Sequence, residues 1–172
     1  MKKKPIYLYV LLVLSAIGTL LGVWSRFFSK FSKVDYTQIG FSKELSDQTN
    51  QFNKLYFEFL RNGMNMLIFF VMTALLIASI VFLVRKNLQM ANISYIVYIL
   101  ISLLSQVYVY ISSKGIVGKV FTSPENIATH SNSLFLGTVL GFIISLIYLS
   151  IVVFKLIQQQ KEAEKAELAA KE

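Results

Sequence analysis

No cysteine occurs among the 172 residues. That excludes disulfides, thiol redox chemistry, cysteine-ligated zinc and cysteine nucleophiles. Histidine occurs once, at His130, too little for a metal site or a base-assisted nucleophile. The most telling absence is of charge. Four long runs, Ile6–Trp24, Met66–Val84, Ile93–Ile111 and Leu134–Phe154, contain no Asp, Glu, Lys, Arg or His. Ion-coupled transporters and proton relays place an ionisable group inside the membrane. Intramembrane aspartyl and metal-dependent proteases need embedded acids or histidines, and small multidrug exporters need an embedded carboxylate. No phosphate-binding glycine loop is present either. The sequence therefore offers no catalytic residue, no metal ligands and no cofactor site, and a non-enzymatic protein is expected.

What is present is apolar surface. Hydrophobic residues make up 55% of the chain, and mean hydropathy is +0.60. A helix rises about 1.5 Å per residue, so about 20 residues cross a hydrocarbon core of about 30 Å. Each of the four runs has that length. The expected fold is all-α: a four-transmembrane-helix bundle forming a single integral membrane domain over residues 1–172. Outer loops would cover 25–65 and 112–133, and a cytoplasmic tail 155–172. The opening Met1-Lys2-Lys3-Lys4-Pro5 puts cations before an apolar run. No small-x-small cleavage site follows at Gly22-Val23-Trp24-Ser25, so an uncleaved first helix is expected, with Trp24 at the far interface. With the N-terminus inside, the inner segments carry 9 Lys and Arg in 31 residues, against 8 in 63 outside. This asymmetry predicts a multi-pass protein of the cell membrane with both termini cytoplasmic.

Small and polar residues mark the faces expected to pack. Gly18-Thr19-Leu20-Leu21-Gly22 in the first run is echoed by Gly137-Thr138-Val139-Leu140-Gly141 in the fourth. Glycines four apart share a helix face and leave a groove, which in lipid admits a second helix. The pairs lie at similar depth, so a close antiparallel crossing of the first and fourth spans is expected, or dimerisation through the same grooves. Ala74 and Ala78 provide another small-residue face. In the third run Tyr95, Tyr98, Ser102, Ser105 and Gln106 form a polar stripe, expected to face the bundle and join helices. Outside the spans, Arg26 to Phe31 mixes cations with aromatics and is expected at the interface. Residues 42–62 show helical periodicity, giving an extracytoplasmic amphipathic helix that lies on the bilayer, caps the bundle or binds a partner, with Asn62-Gly63 as a kink before the second span. Ser123-Pro124-Glu125 is a helix-start signature, predicting a short helix to about Thr129. The tail alternates Lys, Glu and Ala and predicts a solvated helix with a Glu167–Lys171 pair.

The net charge of +8 flanks the apolar runs and sets orientation; no nucleic-acid partner is expected. The opening Lys2-Lys3-Lys4-Pro5-Ile6-Tyr7-Leu8-Tyr9, the Lys/Ile/Phe/Asn-rich composition and the cysteine-free four-span plan resemble small, uncharacterised four-pass membrane proteins of low-GC Gram-positive bacteria. Some of those are labelled transporter permeases. That label implies an ATPase-coupling helix in a cytoplasmic loop, and Arg85 to Asn92 is too short for one. The function expected is that of an accessory or scaffold subunit, partnered by the lipid bilayer and by another membrane protein or a second copy. The alternative is a transport component or small channel using the polar face of the third span.

Overall fold

The computed structural model describes residues 5–169. The expected Glu167–Lys171 pair lies outside the described residues. Five α-helices follow in order: α1 (Ile6–Val23), α2 (Lys43–Leu60), α3 (Gly63–Val84), α4 (Leu88–Val120) and α5 (Pro124–Ala169). No strand occurs among the described residues. Four helices, those beginning at Ile6, Gly63, Leu88 and Pro124, are long and apolar enough to cross a membrane. The fold is an all-α bundle of these four, with α2 as an added helix at one end.

Local sequence explains the boundaries. α1 passes into a π-helical turn, Trp24–Phe28, where the Ser29 amide donates five residues back to the Trp24 carbonyl at 3.0 Å. The Ser42 hydroxyl caps α2 by accepting from the Leu45 amide. Asn62 is not a kink in one long helix but a cap that starts a new one. Its side chain accepts from the Asn65 amide at 2.8 Å, while Asn65 donates back to the Phe59 carbonyl. Between α3 and α4 the chain reverses over Arg85–Asn87, with Lys86 in the left-handed region at φ 61°.

The segment 112–133 departs from the loop and short helix expected there. Residues to Val120 continue α4, and those from Pro124 belong to α5, so only Phe121–Ser123 turn the chain. No proline or glycine lies between Thr129 and Leu134 to stop α5. On the α4 side, Val117 and Val120 are buried with Phe52 and Phe121 in a cluster that Leu45, Leu55 and Tyr56 of α2 flank. α2 thus caps its own bundle, and burying its apolar stripe holds the α4 extension helical.

A second cluster fills the opposite end, where α1 begins. Leu8, Leu11 and Leu12 of α1 pack with Leu76 and Leu83 of α3, Tyr95 and Ile99 of α4 and Val152 of α5. Three side chains close a ring beside it. Tyr7 donates to Asn92 Oδ1 at 2.9 Å, Asn92 to Gln159 Oε1 at 3.1 Å, and Gln159 back to the Tyr7 hydroxyl at 3.1 Å. α1, α4 and α5 are therefore joined with every polar group of the ring satisfied, as burial requires.

Candidate functional site

Towards α2 the packing changes character. The half where α1 begins is packed around the leucine cluster and the Tyr7–Asn92–Gln159 ring, whereas the α2 half has two half-open clefts that share Arg26 and Ser105. One, of about 190 Å³, lies against α1 and α3 and meets Gly18, Thr19, Gly22, Asn65, Phe69 and Tyr98. The other, of about 480 Å³, lies between α4, α5 and α2, with Tyr56, Ser102, Gln106, Ser133, Leu134, Gly137 and Thr138 on its walls.

Five polar residues of α4 point into the bundle with two different roles. Tyr95 is fully buried, shares a 2.8 Å hydrogen bond with Ser15 of α1, and stacks on Tyr98 at 5.5 Å. Ser102, Ser105 and Gln106 reach cavity walls instead. The Gln106 amide donates to Ser145 of α5 at 3.0 Å and to Ser102 at 3.4 Å, while its buried Oε1 has no partner.

The glycines do not form the expected crossing of first and fourth spans. A Cβ on Gly22 would meet Phe69 of α3 at 3.0 Å, and one on Gly141 would meet Gln106 Oε1 of α4 at 2.5 Å. A Cβ on Gly18 or Gly137 would meet nothing within 4 Å. Glycine spacing makes a groove without dictating what fills it. Here one glycine of each pair receives a side chain of a neighbouring span, and the other borders a cavity. The small-residue face of α3 differs too. Ala74 is exposed and Ala78 half-buried, whereas the fully buried Ser79 donates to the Ala91 carbonyl of α4 at 2.8 Å. Serine satisfies a backbone oxygen there, which alanine cannot do.

Two arginines end up inside this half, and neither was singled out from sequence. In an α-helix the Ser29 amide would occupy the Ser25 carbonyl; the π turn redirects it to Trp24 and frees that carbonyl. The Ser29 hydroxyl and Arg61 Nη2, the latter at 2.9 Å, both donate to it; Arg61 bonds the Ser29 carbonyl as well, and its guanidinium lies 3.7 Å above the Phe57 ring. Arg61 thus neutralises carbonyls at a helix C-terminus. Arg26 is different. Nη1 makes one long bond, 3.4 Å, to the Gly22 carbonyl, and the guanidinium lies 4.4 Å from the Phe69 centroid; buried Nε has no acceptor, which is true of Arg61 Nε as well. Among the described residues the one ion pair is Lys54–Glu58, so no carboxylate answers Arg26. Burial pushes the Tyr56 phenol up from its ordinary value, and the nearby Arg26 charge pulls it partly back. Trp24, Phe27 and Phe28 around Arg26 are exposed, as an interfacial segment requires, but Arg26 itself turns inward.

His130 stacks on Phe121 with ring centroids 4.0 Å apart, a packing role. Among the described residues no group of three His, Cys, Asp or Glu could hold a metal ion. The family described as Domain of unknown function (DUF8777) matches residues 1–165. The chain belongs to the DUF8777 family. No curated protein and no solved structure matches it. The match takes in all four long apolar helices and the α2 cap, so the cavity lies wholly within the DUF8777 region.

Proposed function

We propose that this is a non-enzymatic protein of a bacterial cell membrane, with both termini cytoplasmic, acting as an accessory or scaffold subunit for another membrane protein or for a second copy of itself. The observation that carries this reading is the packing of the half where α1 begins. There the polar side chains bond one another, Tyr7 with Asn92 and Gln159, Ser15 with Tyr95, and the surrounding leucines are buried. Polar groups used in this way join helices; they do not line a route. α5 packs on few neighbours and leaves Leu136, Leu140, Ile144 and Ile147 exposed, a face open to lipid or to another helix. The lysine and arginine asymmetry supports the orientation.

Transport is the second reading, favoured by the placement of Ser102, Ser105 and Gln106 on cavity walls. Two measurements separate them. Purification in mild detergent should retain a stoichiometric membrane partner or a defined oligomer if the protein is a scaffold. Solute flux through purified protein in liposomes, with no such partner, would replace that reading with transport.

A further inference from the structure

We propose that the cavity around Arg26 binds a singly charged phosphate-type oxyanion, the phosphodiester of a phospholipid headgroup. This goes beyond the scaffold reading and does not depend on it.

Charge comes first. A guanidinium half-withdrawn from water is costly unless an anion or several acceptors answer it. Arg61, in the same half, has its acceptors in two carbonyls. Arg26 has one weak contact and, among the described residues, no carboxylate; its buried Nε lacks an acceptor, as does that of Arg61, so the difference lies in the Nη groups. One unanswered cation suits one negative charge, and a guanidinium fork matches the paired oxygens of a phosphodiester.

The walls supply the rest. Ser102, Ser105 and Tyr56 bring hydroxyl groups from α4 and α2 to the two clefts that meet at Arg26, whereas Thr19 and Asn65, also on the walls, spend their donors on Ser15, Phe59 and Asn62. Phe69, Met72, Val109 and Leu134 provide apolar wall for the start of an acyl chain. The larger cavity, about 480 Å³, is within the range of small-molecule sites. Depth selects the lipid source over a solute. Arg26 follows exposed Trp24 at the end of the first apolar helix, and tryptophan marks the headgroup level where lipid phosphates lie. The bare glycines have a role here: side chains at Gly18 and Gly137 would project into this space.

The test uses the purified full chain in a neutral detergent. Thermal unfolding is followed with added short-chain phosphatidylglycerol, with diacylglycerol of the same chains, or with inorganic phosphate. Phosphatidylglycerol should raise the melting temperature and diacylglycerol should not. Arg26→Gln should weaken phosphatidylglycerol binding about tenfold to a hundredfold, the loss of a charge-assisted contact. Lys30→Gln, which removes an exposed cation nearby, should leave it unchanged. Without lipid, Arg26→Gln should melt at the same temperature as the parent or higher, because a charge kept for a ligand contributes nothing to the empty fold. A lower melting temperature there would assign Arg26 to structure and overturn the proposal. So would equal stabilisation by diacylglycerol, or an undiminished phosphatidylglycerol shift in Arg26→Gln. An Arg26-dependent shift with inorganic phosphate equal to that with lipid would overturn the lipid source and assign the site to a soluble oxyanion. Ser105→Ala is a second, independent variant, with a severalfold weaker phosphatidylglycerol shift expected and an unchanged one counting against the site.

Discussion

Replacing Gly141 by alanine puts a methyl carbon 2.5 Å from Gln106 Oε1, about 1 Å inside ordinary van der Waals contact. The carboxamide has to swing away, and its 3.0 Å bond to Ser145, which ties α4 to α5, goes with it. Such a bond between membrane helices contributes roughly 0.6–2 kcal/mol. Alanine is favoured over glycine in a helix by about 1 kcal/mol, which works in the opposite direction. The single substitution therefore leaves stability between unchanged and about 1 kcal/mol lower. The double-mutant cycle removes that ambiguity. In a Gln106→Ala background nothing opposes the new methyl, and Gly141→Ala should stabilise by up to about 1 kcal/mol. Gly137→Ala, with nothing within 4 Å of the added carbon, should be neutral or stabilising in both backgrounds. Reversible unfolding in mixed micelles gives all the corners. A coupling below about 0.3 kcal/mol between Gly141 and Gln106 would refute the contact. Gly137→Ala proving as harmful as Gly141→Ala would restore a glycine-mediated helix crossing.

Asn92→Ala leaves the Tyr7 hydroxyl proton without its acceptor and Gln159 Oε1 without its donor, and should cost about 1–3 kcal/mol in the same unfolding assay, with Tyr7→Phe milder. For topology, single cysteines at the exposed, uncharged positions Ser32, Gln89 and Gln160 should react with a membrane-impermeant thiol reagent in intact cells only at Ser32; labelling of Gln89 or Gln160 with Ser32 silent would invert the orientation. Asp35 holds the short 3₁₀ turn at Tyr36–Ile39 through the Thr37 amide and hydroxyl, which lower its carboxyl below the usual range. Because the folded value is the depressed one, the turn's stabilisation is present above about pH 4 and fades as pH falls below it. Amide exchange at Thr37 should accelerate there, and Asp35→Asn should abolish that pH dependence.

The four long apolar helices were legible because uncharged length is what a bilayer would require of them, and each sequence run falls within or almost within a long helix. Their ends were not. Residues 112–120 carry Lys114, Gly115, Gly118 and Lys119, which read as loop, yet Val117 and Val120 hold them helical beneath α2. The partners of the glycines were also out of reach: spacing reports a groove, and only packing decides that Phe69 and Gln106 fill two of the positions. Arg26 was hidden most completely. Beside Trp24 and Phe27, a cation is expected to reach outward. Its inward turn accompanies a π-helical turn, and the Ser25 carbonyl which that turn releases is shared by the Ser29 hydroxyl and by Arg61, 36 positions from Ser25 in the sequence.

α4 is one uninterrupted helix of 33 residues, a rod of about 50 Å where the hydrocarbon core needs about 30 Å. Its two ends therefore behave as a single lever. If it turns about its middle by about 10°, each tip is carried about 4 Å, in opposite directions. One tip bears Val117 and Val120 under the α2 cap, and the other carries Asn92 in the three-residue ring. A push on the cap and a strain on the ring are then the same mechanical event, transmitted along the whole length of the bundle without any intervening joint.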